Sequence, residues 1–211
     1  MIAMVDMEMG NLRSVLEAFR RIGAAVEVTN RPDDVKRAEA VILPGVGAFG
    51  DGMNSLRRHK LIDPLLCHAM EQNKPLLGIC IGMQLLAEEG EEHGRHCGLG
   101  MIKGRVVKLK PTEAGCRVPN MGWCDVTIAN PRSKLFQELR HQESFYFAHS
   151  YHLQCSDPAD MAATIDYGGR LAAAVERDNI LGVQFHPEKS QDAGLNVLAS
   201  FIKYVQRSRL N

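Results

Sequence analysis

Hydrophobic residues in the first half of the chain occur in short continuous runs, and segments of helical periodicity separate these runs. A continuous apolar run of four or five residues is typical of a strand buried on both faces of a sheet. Alternation of such strands with helices predicts a mostly parallel central sheet flanked by helices. The predicted strands are residues 2–5, 25–29, 40–43 and 76–79.

Two helices are predicted between these strands. In the first, residues 14–22, apolar side chains recur at helical spacing. Ser14 and Glu17 are placed to form a capping box at its start, and Gly23 is placed to end it. The second helix covers residues 62–71 and ends before Pro75, which introduces the next strand.

Beyond about residue 98 the pattern changes to closely spaced strand candidates, which predicts an antiparallel or mixed extension of the sheet. The chain closes with a helix over residues 193–205 that has one apolar face. The predicted fold class is therefore α/β, with a mostly parallel sheet and an antiparallel or mixed C-terminal extension. The strand candidates are 101–109, 123–128, 145–148, 161–165, 172–176 and 180–184.

The length and the charge of the chain exclude several classes of function. A chain of 211 residues is expected to form a single domain, residues 1–211. Its 25 lysine and arginine residues balance 25 aspartate and glutamate residues, so no net charge favours nucleic acid or an anionic membrane. The N-terminal segment has no basic leader, and no run approaches the roughly 18 apolar residues of a membrane span. We therefore expect a cytoplasmic protein.

The six cysteines form no CxxC pair, which argues against a zinc ribbon or a disulfide framework. One of them carries the strongest chemical signal. Cys80 follows the predicted strand 76–79 and has Gly78 and Gly82 two residues away on either side. A nucleophile on a tight strand-to-helix turn needs small neighbours, and the helix N-terminus that follows favours a thiolate. The alternative is an ordinary buried cysteine at a glycine-rich turn.

A general base for this cysteine is found directly after the predicted strand 180–184. His186 is followed two residues later by Glu188, which could hold the imidazole in one tautomer and stabilise its protonated form. Pro187 between them makes the turn rigid. A single histidine at a strand end is more often structural, but the carboxylate and the candidate nucleophile favour catalysis.

Two further stretches are compatible with a substrate site. Gly45, Gly47 and Gly50 follow the predicted strand 40–43, and their bare backbone amides could face a developing negative charge. No Lys-Ser or Lys-Thr pair follows, which argues against a nucleotide-binding loop. Residues 144–151 form an aromatic-rich strand with a polar end, which fits either a core strand or a pocket wall for the charged end of an amino acid.

In this order the motifs resemble those of the class I glutamine amidotransferases, and more closely those of the glutaminase subunits of imidazole glycerol phosphate synthases. The resemblance extends over about residues 2–205. It rests on Asp6 and on residues 10–15, 44–49, 82–86, 119–123 and 186–190.

The resemblance implies a role for particular residues. The implied catalytic triad is Cys80, His186 and Glu188, and the implied oxyanion hole consists of the backbone amides of Val46 and Ile81. The implied glutamine-binding residues are Gly47, Gln84, Ser150 and Tyr151, and the positions implied to face a partner are Asn11, Trp123 and Lys189.

The resemblance also implies a (β/α)₈ cyclase as partner in a one-to-one heterodimer. Ammonia from glutamine would pass through the cyclase barrel to a nucleotide acceptor in histidine biosynthesis. The resemblance implies no cofactor and no metal, and the chain would bind neither nucleic acid nor a membrane.

Two residues depart from the family pattern, which usually has histidine at Asn120 and often an aromatic residue at Met7. Alternative hypotheses are a related glutaminase that serves another synthase, such as one amidating a surface sugar, and a catalytically idle binding module. Residues 91–97 offer metal-like side chains, but we interpret them as a solvated loop because no second ligand pair supports a metal site.

Overall fold

The protein is described by a computed structural model over residues 1–112, 115–137, 139 and 142–209, with the backbone alone at 142. Its first half contains β1 (Ile2–Val5), α1 (Leu12–Arg21), β2 (Val26–Thr29), α2 (Pro32–Arg37), β3 (Ala40–Leu43), α3 (Phe49–Arg58), α4 (Ile62–Leu66), a π-helical turn (Cys67–Glu71), β4 (Leu76–Ile79) and α5 (Ile81–Leu85).

The second half consists mainly of strands and ends in a long helix. Its elements are β5 (Ala87–Gly90), β6 (His96–Cys97), β7 (Ile102–Lys108), β8 (Asn120–Ile128), β9 (Gln142–His149), β10 (Tyr151–Cys155), β11 (Met161–Asp166), β12 (Arg170–Arg177), β13 (Ile180–Val183) and α6 (Gln191–Ser208), with 3-10 turns at Pro158–Asp160 and Pro187–Lys189.

A nine-stranded sheet of order β2-β1-β3-β4-β13-β12-β11-β8-β9 forms the centre of the described chain. The first five strands are parallel, in the order typical of flavodoxin-like folds. The other four pair antiparallel and extend the sheet at one edge. The predicted fold class, α/β with an antiparallel extension, is confirmed.

The prediction that all later strands extend this sheet is wrong for the segment 101–109. It forms β7, which belongs to a second sheet of order β10-β7-β5-β6. The aromatic segment 144–151 is also divided, because β9 ends at His149 and β10 starts at Tyr151 in the other sheet. Strand periodicity identifies a strand but not the sheet that contains it, which explains both differences.

Alternate residues of the parallel strands pack on opposite faces of the large sheet, as the pleat requires. In β1, Ile2 and Met4 join the core beneath α1 and α6, whereas Ala3 and Val5 join the core shared with α2, α3, α4 and the second sheet. Both faces are therefore covered, which accounts for the unbroken apolar runs. Among the described residues, no helix is long and apolar enough to cross a membrane.

The helix predictions are confirmed in position but not in every detail. The segments 62–71 and 193–205 are helical, and Gly23 at φ 73° follows the end of α1. The predicted capping box is wrong because α1 begins at Leu12 and therefore contains Ser14 and Glu17. Its N-cap is Asn11, which has a left-handed backbone (φ 66°) and makes no side-chain cap hydrogen bond.

We expect His68, in the π-helical turn, to make the fold sensitive to acid. Its side chain is fully buried with Nε2 3.1 Å from the Pro75 carbonyl oxygen, and burial lowers its pKa to about 4. Because the unfolded chain binds this proton at about pH 6.5, the free energy of unfolding must fall as the pH drops from 6.5 towards 4. His68→Gln, which keeps a donor for Pro75, should reduce the loss between pH 7 and pH 5 by about 2 kcal/mol.

Urea unfolding of both proteins at the two pH values measures this difference, and any pH-independent effect of the substitution cancels. An equal acid sensitivity of His68→Gln and the original chain would contradict the prediction.

Candidate active site

The carboxyl ends of β3, β4 and β13 meet at one edge of the large sheet. Leu43 pairs with Gly78 across β3 and β4, and Ile79 pairs with Val183 across β4 and β13. The segments that follow these strands therefore start side by side. This register brings together the glycine-rich stretch after β3, Cys80 after β4 and His186 after β13, at the edge where parallel α/β sheets bind ligands.

Cys80 occupies a strained turn between β4 and α5, with φ 53° and ψ −108°. A Cβ atom on Gly82 would lie 1.6 Å from the Leu43 carbonyl oxygen, and one on Gly78 would lie 2.6 Å from the Gly82 carbonyl oxygen. Both neighbours must therefore be glycine for this turn to close against β3. The reason inferred from sequence for the two glycines is confirmed by this geometry.

His186 and Glu188 form a buried pair beside the cysteine. Nδ1 of His186 lies 2.8 Å from Oε1 of Glu188, and their side chains are 1% and 0% exposed. Asn11 donates its Nδ2 hydrogen to the same Glu188 oxygen at 2.7 Å. The side-chain amide of Asn11, which does not cap α1, therefore holds the Glu188 carboxylate in place. That carboxylate in turn orients the His186 imidazole.

The pKa values of this pair shift in opposite directions. Burial acts to lower the pKa of His186, but hydrogen bonds with Cys80 and Glu188 and the charges of both groups outweigh it and raise the pKa to about 10. Burial acts to raise the pKa of Glu188, yet the hydrogen bond and charge of His186 leave it lowered. The site therefore favours an imidazolium paired with a carboxylate.

Strand β9 holds the loop that carries the histidine. The His186 backbone N–H donates to the Tyr146 carbonyl oxygen at 2.8 Å. The hydroxyl of Ser190 donates to the His186 carbonyl oxygen at 2.7 Å and accepts the Tyr146 N–H at 3.0 Å. Tyr146 and Ser190 were not predicted from sequence as site residues, because only tertiary contact connects them to the histidine.

A cavity of about 480 Å³ opens over these groups and brings most of the predicted site together. Glu188 and Asn11 lie behind His186 and do not line it, and Trp123 is also outside its lining. The predicted residues that line the cavity are Val46, Gly47, Cys80, Ile81, Gln84, Ser150, Tyr151, His186 and Lys189.

The Val46 amide, predicted as an oxyanion donor, has another partner in this conformation. It donates to the Met9 carbonyl oxygen at 3.3 Å. The neighbouring Gly47 has φ 120°, a conformation that favours glycine. The amide is therefore not available to a substrate oxygen unless the peptide unit between Gly45 and Val46 reorients.

An exposed apolar surface adjoins the cavity. Val46, Met121 and Trp123 are 38%, 66% and 50% exposed, and Val46 and Met121 also line the cavity. Tyr146 connects two of the predicted partner-facing residues, since the Trp123 ring meets it edge-on at 6.2 Å and the Lys189 Nζ lies 5.6 Å above it. Exposed large apolar side chains beside a cavity are typical of a protein interface.

The interpretation of residues 91–97 as a solvated loop needs correction at Glu92. Its carboxylate accepts the Phe49 N–H at 2.9 Å, and both Glu92 and His93 line the cavity. The remainder of that segment is largely exposed. Within the described ranges, no group of three or more His, Cys, Asp or Glu side chains is arranged to hold a metal ion.

The two residues that were expected to depart from the family pattern are buried near the cavity. Asn120 is 2% exposed, and its Nδ2 lies 3.2 Å from Nε2 of His149. Nδ1 of His149 contacts the Tyr151 carbonyl oxygen at 2.8 Å, and burial lowers the pKa of His149 to about 4. A neutral ring with its proton on Nδ1 satisfies both contacts. Met7 is 2% exposed and packs beside Gly45.

Comparison with known proteins identifies the family of the chain. The family model described as Glutamine amidotransferase class-I matches residues 3–204. Imidazole glycerol phosphate synthase subunit HisH from Syntrophotalea carbinolica is 47% identical over 205 residues, which cover 95% of this chain and 98% of that protein. The protein of the same description from Zymomonas mobilis is 47% identical over 207 residues, covering 96% and 95%.

Solved structures share the fold at lower identity. A glutamine amidotransferase aligns with a TM-score of 0.75 at 20% identity, and PurLQS from Thermotoga maritima aligns with a TM-score of 0.74 at 20% identity. Each alignment covers 97% of this chain and 98% of the other. The chain belongs to the class-I glutamine amidotransferase family and, within it, to the family of imidazole glycerol phosphate synthase HisH subunits.

Proposed function

We propose that Cys80, His186 and Glu188 are the catalytic triad with which this chain hydrolyses glutamine to glutamate and ammonia. The chain is a glutamine amidotransferase, the glutaminase subunit of an imidazole glycerol phosphate synthase in histidine biosynthesis. The observation that carries the triad is the buried His186–Glu188 pair, whose imidazole lines the same cavity as a cysteine in a strained turn. An idle binding module would have no need of this arrangement.

In the proposed reaction the Cys80 thiolate attacks the side-chain carbonyl carbon of glutamine. His186, bound to Glu188 through Nδ1, gives its Nε2 proton to the amide nitrogen, the C–N bond breaks and ammonia leaves a glutamyl thioester. The neutral imidazole then takes a proton from the water that attacks the thioester. The C–S bond breaks, glutamate leaves, and the thiolate and imidazolium are restored.

The cavity lining supports a binding mode for the amino-acid end of glutamine. Gln84 uses its Nε2 for the Tyr151 carbonyl oxygen and for Gln184, so its Oε1 is left as an acceptor for the substrate ammonium group. Glu92 adds a carboxylate at the cavity. Ser150, Tyr151 and the Gly47 backbone complete the proposed glutamine site.

The oxyanion hole is proposed to form from the amides of Ile81 and Val46, with the second supplied only after a conformational change. In the present conformation Val46 donates to Met9 instead. Turning the peptide unit after Gly45 would exchange that bond for one to the oxyanion. One such donor is worth roughly 10² to 10³ in rate, which is enough to gate the enzyme.

The partner is a cyclase subunit, and we propose a one-to-one heterodimer with a (β/α)₈ cyclase docked over the cavity. The exposed Met121 and Trp123 and the cationic Lys189 support this location, and Asn11 would transmit docking to Glu188. Ammonia would then leave the cavity directly into the cyclase barrel.

We also propose that residues 1–211 form a single domain, since both sheets contribute to one core cluster. We propose in addition that the protein is cytoplasmic.

We expect the purified chain alone to hydrolyse glutamine slowly. Addition of the cyclase and then of its nucleotide should raise the rate by about 10² to 10³, because each favours the conformation with Val46 turned to the oxyanion. Steady-state glutamate production under the three conditions measures the effect. Full activity of the isolated chain would refute the gate while leaving the triad intact.

Lys189→Ala is the matched variant in the same assay. It removes the cation above Tyr146 without touching the buried pair, so it should reduce activation by the cyclase more than basal hydrolysis. An equal loss of activation and of basal hydrolysis would indicate that Lys189 takes part in the reaction rather than in binding the partner.

A further inference from the structure

Gln184 is a buried polar residue that the proposed reaction does not use. It directly follows β13, and the pairing of Val183 with Ile79 places it beside Cys80. Its side chain is fully buried. A buried side-chain amide needs hydrogen-bond partners on both its oxygen and its nitrogen, so the identity of these partners reveals which way it points.

A backbone carbonyl fixes the orientation of two side-chain amides in succession. The Tyr151 carbonyl oxygen can only accept, so the Gln84 atom 2.9 Å from it must be Nε2. The same Nε2 lies 2.9 Å from Gln184, so the facing Gln184 atom must be the acceptor Oε1. Neither amide can flip without placing two like groups in contact.

A second donor to the same carbonyl strengthens this constraint. His149 also donates to the Tyr151 carbonyl oxygen, through Nδ1 at 2.8 Å. Both lone pairs of that oxygen are therefore occupied, one by His149 and one by Gln84. His149 is held in turn by Asn120 at its other nitrogen.

With its oxygen committed to Gln84, Gln184 must direct its Nε2 hydrogens the other way. Nε2 lies 3.8 Å from Sγ of Cys80, within the range of a hydrogen bond to sulfur. We infer that Gln184 is a positioning residue that donates a hydrogen bond to the Cys80 thiolate, in an orientation set by Gln84 and the Tyr151 carbonyl. The inference rests on the proposed role of Cys80 as nucleophile.

This contact has a chemical consequence in both halves of the reaction. A hydrogen bond to a charged acceptor is stronger than one to a neutral acceptor, so the Gln184 donor stabilises the thiolate more than the thiol or the thioester sulfur. It favours the charged nucleophile before attack and the charged leaving group when the thioester is hydrolysed. Because Gln84 also lines the glutamine site, the nucleophile and the substrate pocket share one hydrogen-bonded framework.

The test is the rate of alkylation of Cys80 by iodoacetamide in the full chain, followed by peptide mass spectrometry from about pH 5 to about pH 10. Gln184→Met replaces the amide with an apolar side chain of similar length. We expect Cys80 alkylation near neutral pH to slow by about tenfold or more and its pH profile to move upward, as loss of a hydrogen bond to a charged group predicts. The exposed Cys97 in the same sample should react unchanged.

Two further variants separate this role from a packing role. Asn179→Leu removes another buried amide, one bonded to the Ala69 and Lys74 carbonyl oxygens rather than to the site, and should leave Cys80 alkylation unchanged. Gln184→Glu replaces the donor with a carboxylate and should slow alkylation further. Thermal unfolding of each variant establishes that it is folded.

The outcomes are distinct for the inference and for the proposed function. Folded Gln184→Met and Gln184→Glu chains whose Cys80 reacts at the original rate and pH would overturn the inference. An equal slowing in Asn179→Leu would overturn it as well, because the effect would then be general. If Cys80 of the original chain reacts no faster than Cys97, the activated nucleophile itself fails, and with it the proposed function.

Discussion

Cys80→Ala should abolish glutamine-dependent synthesis while leaving ammonium-dependent synthesis by the cyclase complex intact. The thioester cannot form without the sulfur, so we expect glutamine hydrolysis to fall by at least about 10⁴-fold. In the proposed complex the acceptor chemistry belongs to the cyclase, which added ammonium would reach without the glutaminase. The measurement is the rate of imidazole glycerol phosphate formation with each nitrogen source at saturating nucleotide.

The matched control is Cys97→Ala, because Cys97 is exposed and lies outside the cavity. It should retain both activities. Residual glutamine-dependent turnover near the original rate in Cys80→Ala would remove the cysteine from the reaction. Loss of both activities would indicate that the variant disrupts the complex rather than the chemistry.

His186→Asn should lower glutamine hydrolysis by about 10² to 10⁴-fold. Asparagine was chosen because its amide can still donate to Oε1 of Glu188, so the buried carboxylate keeps a partner. The variant has no basic nitrogen for Cys80, and both proton transfers are lost. Single-turnover and steady-state rates in the cyclase complex separate the loss in thioester formation from the loss in its hydrolysis.

Glu188→Gln should be less severe than His186→Asn. We expect it to lower the rate of glutamine hydrolysis by about tenfold to a hundredfold in the same assay. Its amide oxygen can accept from His186 and Asn11 as Oε1 does now, so the ring stays in place but loses the neighbouring negative charge. Losses that are equal and negligible for both residues would exclude them from the site. A larger loss for Glu188 than for His186 would mean that the carboxylate itself takes part in proton transfer.

The parallel half of the sheet could be predicted almost to the residue. The apolar runs 2–5, 40–43 and 76–79 coincide with β1, β3 and β4. Strands covered on both faces are apolar at every position, so the ends of the run mark the ends of the strand. The position of His186 next to Cys80 did not follow from this pattern, because strand 180–184 was assigned to the antiparallel or mixed extension, whereas β13 pairs parallel with β4. Parallel strands that end in reactive residues deliver them to one edge of the sheet.

The second sheet was not predictable in this way. β5 contains two glutamates and β6 has only two residues, so neither shows strand periodicity in the sequence. Strand β5 is instead held in the sheet by pairing with β7 on one side and with β6 on the other. For the same reason the sequence did not predict that Glu92 lines the cavity, since its position there depends on the second sheet.

Gln184 illustrates a signal that the sequence did contain. It is a polar residue between the apolar strand 180–183 and Phe185, at a position where burial is expected. A buried amide of this kind calls for partners, but the sequence cannot name them. Only the register of β4 with β13 places it against Cys80.

The Tyr151 carbonyl oxygen anchors the amide chain that ends at the nucleophile, and it belongs to the main chain. Every residue type has that atom, so no side-chain substitution can delete it. Scanning mutagenesis at Tyr151 would register only the ring and would miss the oxygen altogether. Replacing the 151–152 amide with an ester by chemical synthesis weakens the carbonyl as an acceptor while sparing every side chain. Studies limited to the twenty encoded residues would therefore attribute to Gln84 and His149 an ordering that originates in the backbone.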